Sequence, residues 1–315
     1  MDLGLNMLRL SPKNEAQVVS PLSVIFALAL VQAGAKGGTR SQINEVISKG
    51  ATDDEFVDFY SNLANSTLSP SGGVQTRIAN AFFLNGKYSI DEQYNDTITE
   101  KYSSKVEALD FGQIKHSTEI INEFVSMTTE GKIKDFIPED IVSGAHSLII
   151  STIYFEAKWE EDSADGSIID RTFRSIENVQ KEMEFLNERD ESRYNTEDEE
   201  MEVLSLRYKD TSSAFNIILP KKMFGLDELS ANLTRDTDKP EPTVLTISIP
   251  KMTVETDFDL KEALIAMGIE DMFSASADLT GIAESPPLAF SDATHKAIVE
   301  VDEGRIAAAA VTILR

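Results

Sequence analysis

Hydrophobic positions follow a helical spacing in the first third of the chain and a strand spacing through much of the rest. Leu3, Leu5, Met7, Leu8 and Leu10 predict a short amphipathic helix almost at the start. Residues 18–31 are apolar on every side, which predicts a buried helix. Ser20 is a good N-cap for it, Pro21 suits its first position, and Gly34, Gly37 and Gly38 end it. Thr39 and Gln42 form a capping-box pattern that predicts the opening of another helix. Helical spacing returns at 53–65, 91–103, 117–129 and 257–267, with 66–73 a polar loop. Strands are predicted at 77–86, 106–111 and 148–155, the last apolar enough to be central and covered on both faces. Hairpin strands follow at 182–186, 201–206 and 214–219. The acidic run Asp190, Glu191, Glu197, Asp198, Glu199 and Glu200 predicts a solvated loop among them. Leu245, Ile247 and Ile249 alternate with Thr246 and Ser248, a strand with one wet face, after a proline-containing linker at 236–242. No break divides the chain cleanly, so the pattern predicts one α+β domain over 1–315.

The last seventeen residues, 299–315, have no strong local commitment. Asp302, Glu303, Gly304, Arg305 and Ile306 lead into four alanines, Ala307, Ala308, Ala309 and Ala310, and these favour helix. Val311, Thr312 and Ile313 behind them favour strand. The side chains are small enough to slide between two existing strands.

Composition removes several classes of function. A formal net charge of −25 argues against nucleic acid, heparin-like polyanions and anionic membranes as partners. With no cysteine there is no disulfide framework, thiolate metal site or cysteine nucleophile. The first residues lack a secretory pattern, and no apolar run approaches the roughly 18 residues of a membrane span. Sequons at Asn65, Asn95 and Asn232 keep a mature secreted form open beside an intracellular one. Among catalytic motifs, G-x-S-x-G, the Walker loop and H-E-x-x-H are absent. His116, His146 and His295 have no metal-ligand spacing. The sequence nominates no catalytic residue, metal or cofactor, and the expectation is that the chain is not an enzyme.

From about residue 18 to 312 the chain resembles the serpin family, motif after motif in order. The carriers are 18–23 (V-V-S-P-L-S), 78–84 (I-A-N-A-F-F-L), 121–138 (I-N-E-F-V-S-M-T-T-E-G-K-I-K-D-F-I-P), 153–159 (I-Y-F-E-A-K-W), 249–252 with 258–260, and His295-Lys296-Ala297 leading to the acidic pair and glycine. The resemblance implies three β-sheets with eight to nine helices, and a first sheet carrying the reactive loop as an extra strand. It implies an inhibitor of a serine protease, or of a cysteine protease. In such an inhibitor the cleaved loop inserts into that sheet and traps the acyl-enzyme.

By the same resemblance Asp302, Glu303, Gly304, Arg305 and Ala307–Ala310 form the loop's hinge. Ser20, Ser23, Ser151 and His295 form the shutter where strands part, with Ser151 in place of the family's asparagine. Trp159 and Lys251 form the breach where the loop enters, and Lys251 is expected to pair with Asp302 or Glu303. Counted from Gly304, the resemblance places Arg305, Ala307, Ala309, Val311 and Ile313 on the core side and Ile306, Ala308, Ala310, Thr312 and Leu314 on the other. A guanidinium leading the core side is costly to bury, so the alternative is a non-inhibitory serpin with a carrier, chaperone or storage role.

Family chains continue past the hinge, so the expectation is an N-terminal fragment whose last strands sit on a separate cleaved peptide. Arg315 is then the candidate cleavage site, which suggests a trypsin-like protease. The expected partners are the protease and that peptide, with the protein itself a monomer. Heparin is disfavoured because 66–75 stands as a short neutral loop in place of the family's basic helix.

Overall fold

The computed structural model describes residues 2–12, 15–68, 72–131, 133–160, 167–177, 179–211, 213–233, 240–302 and 305–315. The elements run α1 (Asp2–Leu10), α2 (Pro21–Gly34), α3 (Gly37–Ile47), α4 (Asp53–Leu68), β1 (Val74–Asn85), α5 (Glu92–Tyr102), β2 (Lys105–Leu109), α6 (Ile114–Thr128), α7 (Glu139–Val142) and β3 (Ser147–Lys158). They continue with β4 (Ser167–Ile176), β5 (Val179–Glu197), β6 (Met201–Arg207), β7 (Ala214–Pro220), α8 (Leu226–Asn232), β8 (Glu241–Pro250), β9 (Met252–Asp259), α9 (Leu260–Ala266), β10 (Ala293–Val301) and β11 (Arg305–Leu314).

A six-stranded sheet in the order β2-β1-β3-β11-β10-β9 dominates the fold. β11 is central, antiparallel to β3 on one edge and to β10 on the other, and paired along its length on both. Its neighbours explain why four alanines adopt strand: every main-chain group finds a ladder partner, which outweighs the helix propensity of alanine. One face of the sheet packs on α2, whose side chains from Phe26 to Val31 are all fully buried together with Phe82, Ile149 and Leu314. The opposite face packs under α6, with Phe83, Ile150, Val311 and Ile313 against Ile121 and Val125.

The remaining strands form one sheet, β4-β5-β6-β7 with β8 also on β5. β5 is shared between two pairing sets. Its first half pairs with β4, β8 pairs with it from Phe185 to Asn195 with a register shift between Glu188 and Glu191, and its end pairs with β6. Where three sheets are expected, two of them are joined through this one bulged strand.

Several local expectations change. Asp190 and Glu191 are not loop: β5 runs unbroken to Glu197, and only Asp198–Glu200 form the turn. The capping box at Thr39 and Gln42 does not form. The helix opens at Gly37, while Thr39 Oγ1 accepts from the Asp278 amide (2.9 Å) and Gln42 Oε1 accepts from the amides of Glu270 and Asp271 (2.9 Å each). The C-terminal helix begins at Leu260, capped by the Asp259 carboxylate, because residues before it are claimed by β9. α4 continues through Leu68 into the segment expected as a loop, and it carries no lysine or arginine. Of the proline-containing linker, 234–239 lie outside the described residues.

Candidate functional site

A polar row crosses the buried middle of the six-stranded sheet. Asn80 on β1 is registered with Ser151 on β3, Ser151 with Thr312 on β11, and Thr312 with His295 on β10. α2 starts directly against this row because Pro21 fixes its first turn and the Ser20 side chain caps it, accepting from the Ser23 amide at 3.3 Å.

Hydrogen-bond directions in the row are determined by its ends. The Ser20 amide can only donate, and it donates to His295 Nε2 at 2.9 Å. A neutral imidazole accepting at Nε2 carries its proton on Nδ1. Nδ1 therefore donates to Thr312 Oγ1, 2.8 Å away. Ser23 Oγ donates to the Ser151 carbonyl at 3.1 Å, so Thr312 donates to Ser23 Oγ across 2.7 Å. Burial pushes the His295 pKa down to about 4, opposed by a backbone hydrogen bond at Val311, so the ring is neutral at pH 7.

Ser20, Ser23 and His295 are thus brought together as expected, while Ser151 takes part through its backbone. Its hydroxyl is fully buried without a partner among the described residues, as is Asn80 Oδ1, although Asn80 Nδ2 donates to the Tyr60 hydroxyl at 3.0 Å. Thr312 is the member that the sequence reading missed. Counting along the ladder from His295 would have found it.

The same ladder corrects the two faces of β11. Thr312 and Leu314 face α2, while Val311 and Ile313 face α6. The core-side set is Ile306, Ala308, Ala310, Thr312 and Leu314, the reverse of the expectation. The alternation counted from Gly304 holds, but the side assigned to each set by the resemblance is exchanged, because the pairing of β11 with β10 and β3 sets which set meets α2. Glu303 and Gly304 lie outside the described residues, as does the side chain of Arg305. The Arg305 backbone pairs with Lys158, and Ile306, 2% exposed, packs with Trp159, Val301 and Tyr208.

At this end of β11, Trp159 Nε1 donates to the Asp302 carbonyl (3.1 Å), and its indole stacks on Tyr208 with ring centroids 5.7 Å apart. Lys251 Nζ lies 3.1 Å from Asp302 and 3.5 Å from Glu184. The hydrogen bond to Asp302 is the main cause that holds the lysine pKa above its ordinary value. At the other end the Arg315 amide and carbonyl pair with the Asp292 carbonyl and amide (2.7 and 2.9 Å). The Arg315 guanidinium donates to the Ser143 carbonyl.

A family model described as "Serpin (serine protease inhibitor)" matches residues 1–315. The chain belongs to the serpin family. Among curated serpins, human Serpin B3 is 30% identical over 94% of this chain and 82% of its own. Ipis-1 from the tick Ixodes persulcatus is 29% identical over 94% and 80%. Among solved structures, emu ovalbumin superposes with a TM-score of 0.92 at 25% identity, covering 99% of this chain and 87% of that one. Loop-cleaved lamprey angiotensinogen shares the fold at a TM-score of 0.89 and 24% identity, covering 99% and 95%. Serpins are typically protease inhibitors rather than enzymes, and this serpin's structural neighbours include non-inhibitory members.

Proposed function

We propose that this serpin inhibits a trypsin-like serine protease as a suicide substrate. The protease serine attacks a reactive-loop peptide bond, an ester forms, and the amine side of the bond leaves. The loop then inserts as β11 and draws the acyl-enzyme away before water hydrolyses it. One observation carries the reading: β11, continuous with the hinge, sits as a fully paired central strand whose Thr312 joins the buried chain from Ser20 to Ser151. In this reading Ser20, Ser23, Ser151 and His295, with Thr312, hold the shutter. Trp159 and Lys251 hold the breach through Asp302. The hinge residues 302–310 enter with Ile306 packed against Trp159, Val301 and Tyr208. We place residues 1–315 in a single serpin domain.

A non-inhibitory role is favoured only by neighbours such as ovalbumin and angiotensinogen. Mixing the intact protein with trypsin separates the two readings. An SDS-stable covalent complex is expected, and cleavage with no complex at any ratio defeats inhibition.

A further inference from the structure

A cleft of about 230 Å³, partly open to solvent, lies beside Trp159 and is lined by strands β5, β6 and β8. Trp159, Leu206, Ile249 and Val301 give it an apolar wall, and of these Trp159 and Val301 are only 6% and 3% exposed. Three hydroxyl-bearing residues line it, Ser192, Tyr194 and Ser205, and the last two occupy directly paired positions on β5 and β6. Ser205 is 8% exposed, and its hydroxyl has no partner among the described residues. Tyr194 Oη accepts from Arg207 Nη1 at 3.1 Å, which leaves its proton without an acceptor among those residues. The cavity therefore combines apolar walls with two adjacent donors, the composition of a small-molecule site.

Charge narrows the class of ligand. Arg193 is held by Glu188 at 2.7 Å, and Arg207 faces Glu160 at 3.7 Å. Neither cation is left over to compensate a buried anion, and the protein's net charge of −25 repels one. Size narrows it further. An engineered cavity of roughly 150 Å³ holds benzene, so this one has room for a second ring.

We propose that this cavity binds an uncharged aromatic molecule of one or two fused rings, whose single oxygen acceptor meets the Tyr194 and Ser205 hydroxyls. The site is independent of the inhibitory reading.

Trp159 is the chain's one tryptophan, so its emission reports on the cavity wall alone. Titrating coumarin, an uncharged two-ring lactone, into the protein is expected to quench that emission along a saturable one-site curve. Losing one hydrogen bond corresponds to roughly a five-fold loss of affinity, the change expected for Tyr194→Phe and for Ser205→Ala. Coumarin-3-carboxylate is expected to bind at least about ten-fold more weakly than coumarin. The proposal is overturned by quenching that does not saturate, by affinity unchanged in both variants, or by the carboxylate binding as well as the neutral ring.

Discussion

Replacing Thr312 by valine keeps the shape of the side chain and deletes the hydroxyl between His295 and Ser23. With β11 in the sheet that hydroxyl accepts from Nδ1 and donates to Ser23 Oγ, and all three residues are buried. The imidazole N–H loses this acceptor and Ser23 Oγ loses its donor, each a desolvation cost of about 1–3 kcal/mol when nothing replaces it. The backbone hydrogen bond at Val311 offsets part of the histidine's loss. We therefore expect a loss near the low end for the pair, roughly 2 kcal/mol. At about 2–4 °C per kcal/mol for a large domain this lowers the melting midpoint by roughly 5 °C. Urea and thermal unfolding measure it, with Thr312→Ser as the variant that restores the hydroxyl. A cycle with Ser23→Ala should give a coupling of about 1 kcal/mol or more, because the two hydroxyls touch. A valine variant within about 0.5 kcal/mol of the parent, or a serine variant as weak as valine, refutes the assigned chain of donors.

Four further outcomes are expected. The folded pKa of His295 lies at about 4 against an ordinary 6.5, so below pH 6.5 the unfolded chain binds a proton that the folded protein refuses. Stability is then lost as pH falls from about 6.5 towards 4, by roughly 3 kcal/mol in all; His295→Asn should remove that slope, and equal slopes in both proteins would sink the assignment. Ile306→Glu places a charge where 2% of the residue is exposed, and it should convert inhibitor to substrate, read as loss of SDS-stable complex with cleavage retained. Arg305→Thr should leave the complex yield nearly unchanged, and a large gain would restore weight to the arginine as an obstacle. Trp159→Phe deletes the donor to Asp302 and should cost about 1 kcal/mol, measured by urea unfolding.

What could be read from the sequence was whatever local chemistry determines by itself. α2 announced itself through an uninterrupted apolar run behind Ser20 and Pro21, and β3 through apolar residues on both faces, because burial on all sides leaves no periodicity to misread. The failures lie where a distant partner takes a group that local rules had already assigned. Thr39 and Gln42 looked like a reciprocal cap, but residues 270, 271 and 278 occupy their oxygens. The acidic stretch at Asp190 and Glu191 looked like loop, and pairing with β8 holds it in strand. The alternation along β11 was legible, but its two faces were reversed because the side was taken from resemblance, whereas the ladder to β10 sets it. Ser151 was placed correctly for the wrong atom: its carbonyl, not its hydroxyl, enters the network.

The chain of donors from Ser20 to Ser151 begins on a main-chain amide and ends on a main-chain carbonyl. Neither terminus can reverse its role, so the links have one permitted polarity and one imidazole tautomer. Such a chain works as a gauge of spacing, since its length fits only one separation between the start of α2 and strand β3. Sliding the helix along the sheet would break the bond at one of these backbone ends, and no side-chain rotation could restore it. The hydroxyl that spans the middle of the gauge belongs to β11, so the gauge can read only when that strand is in place.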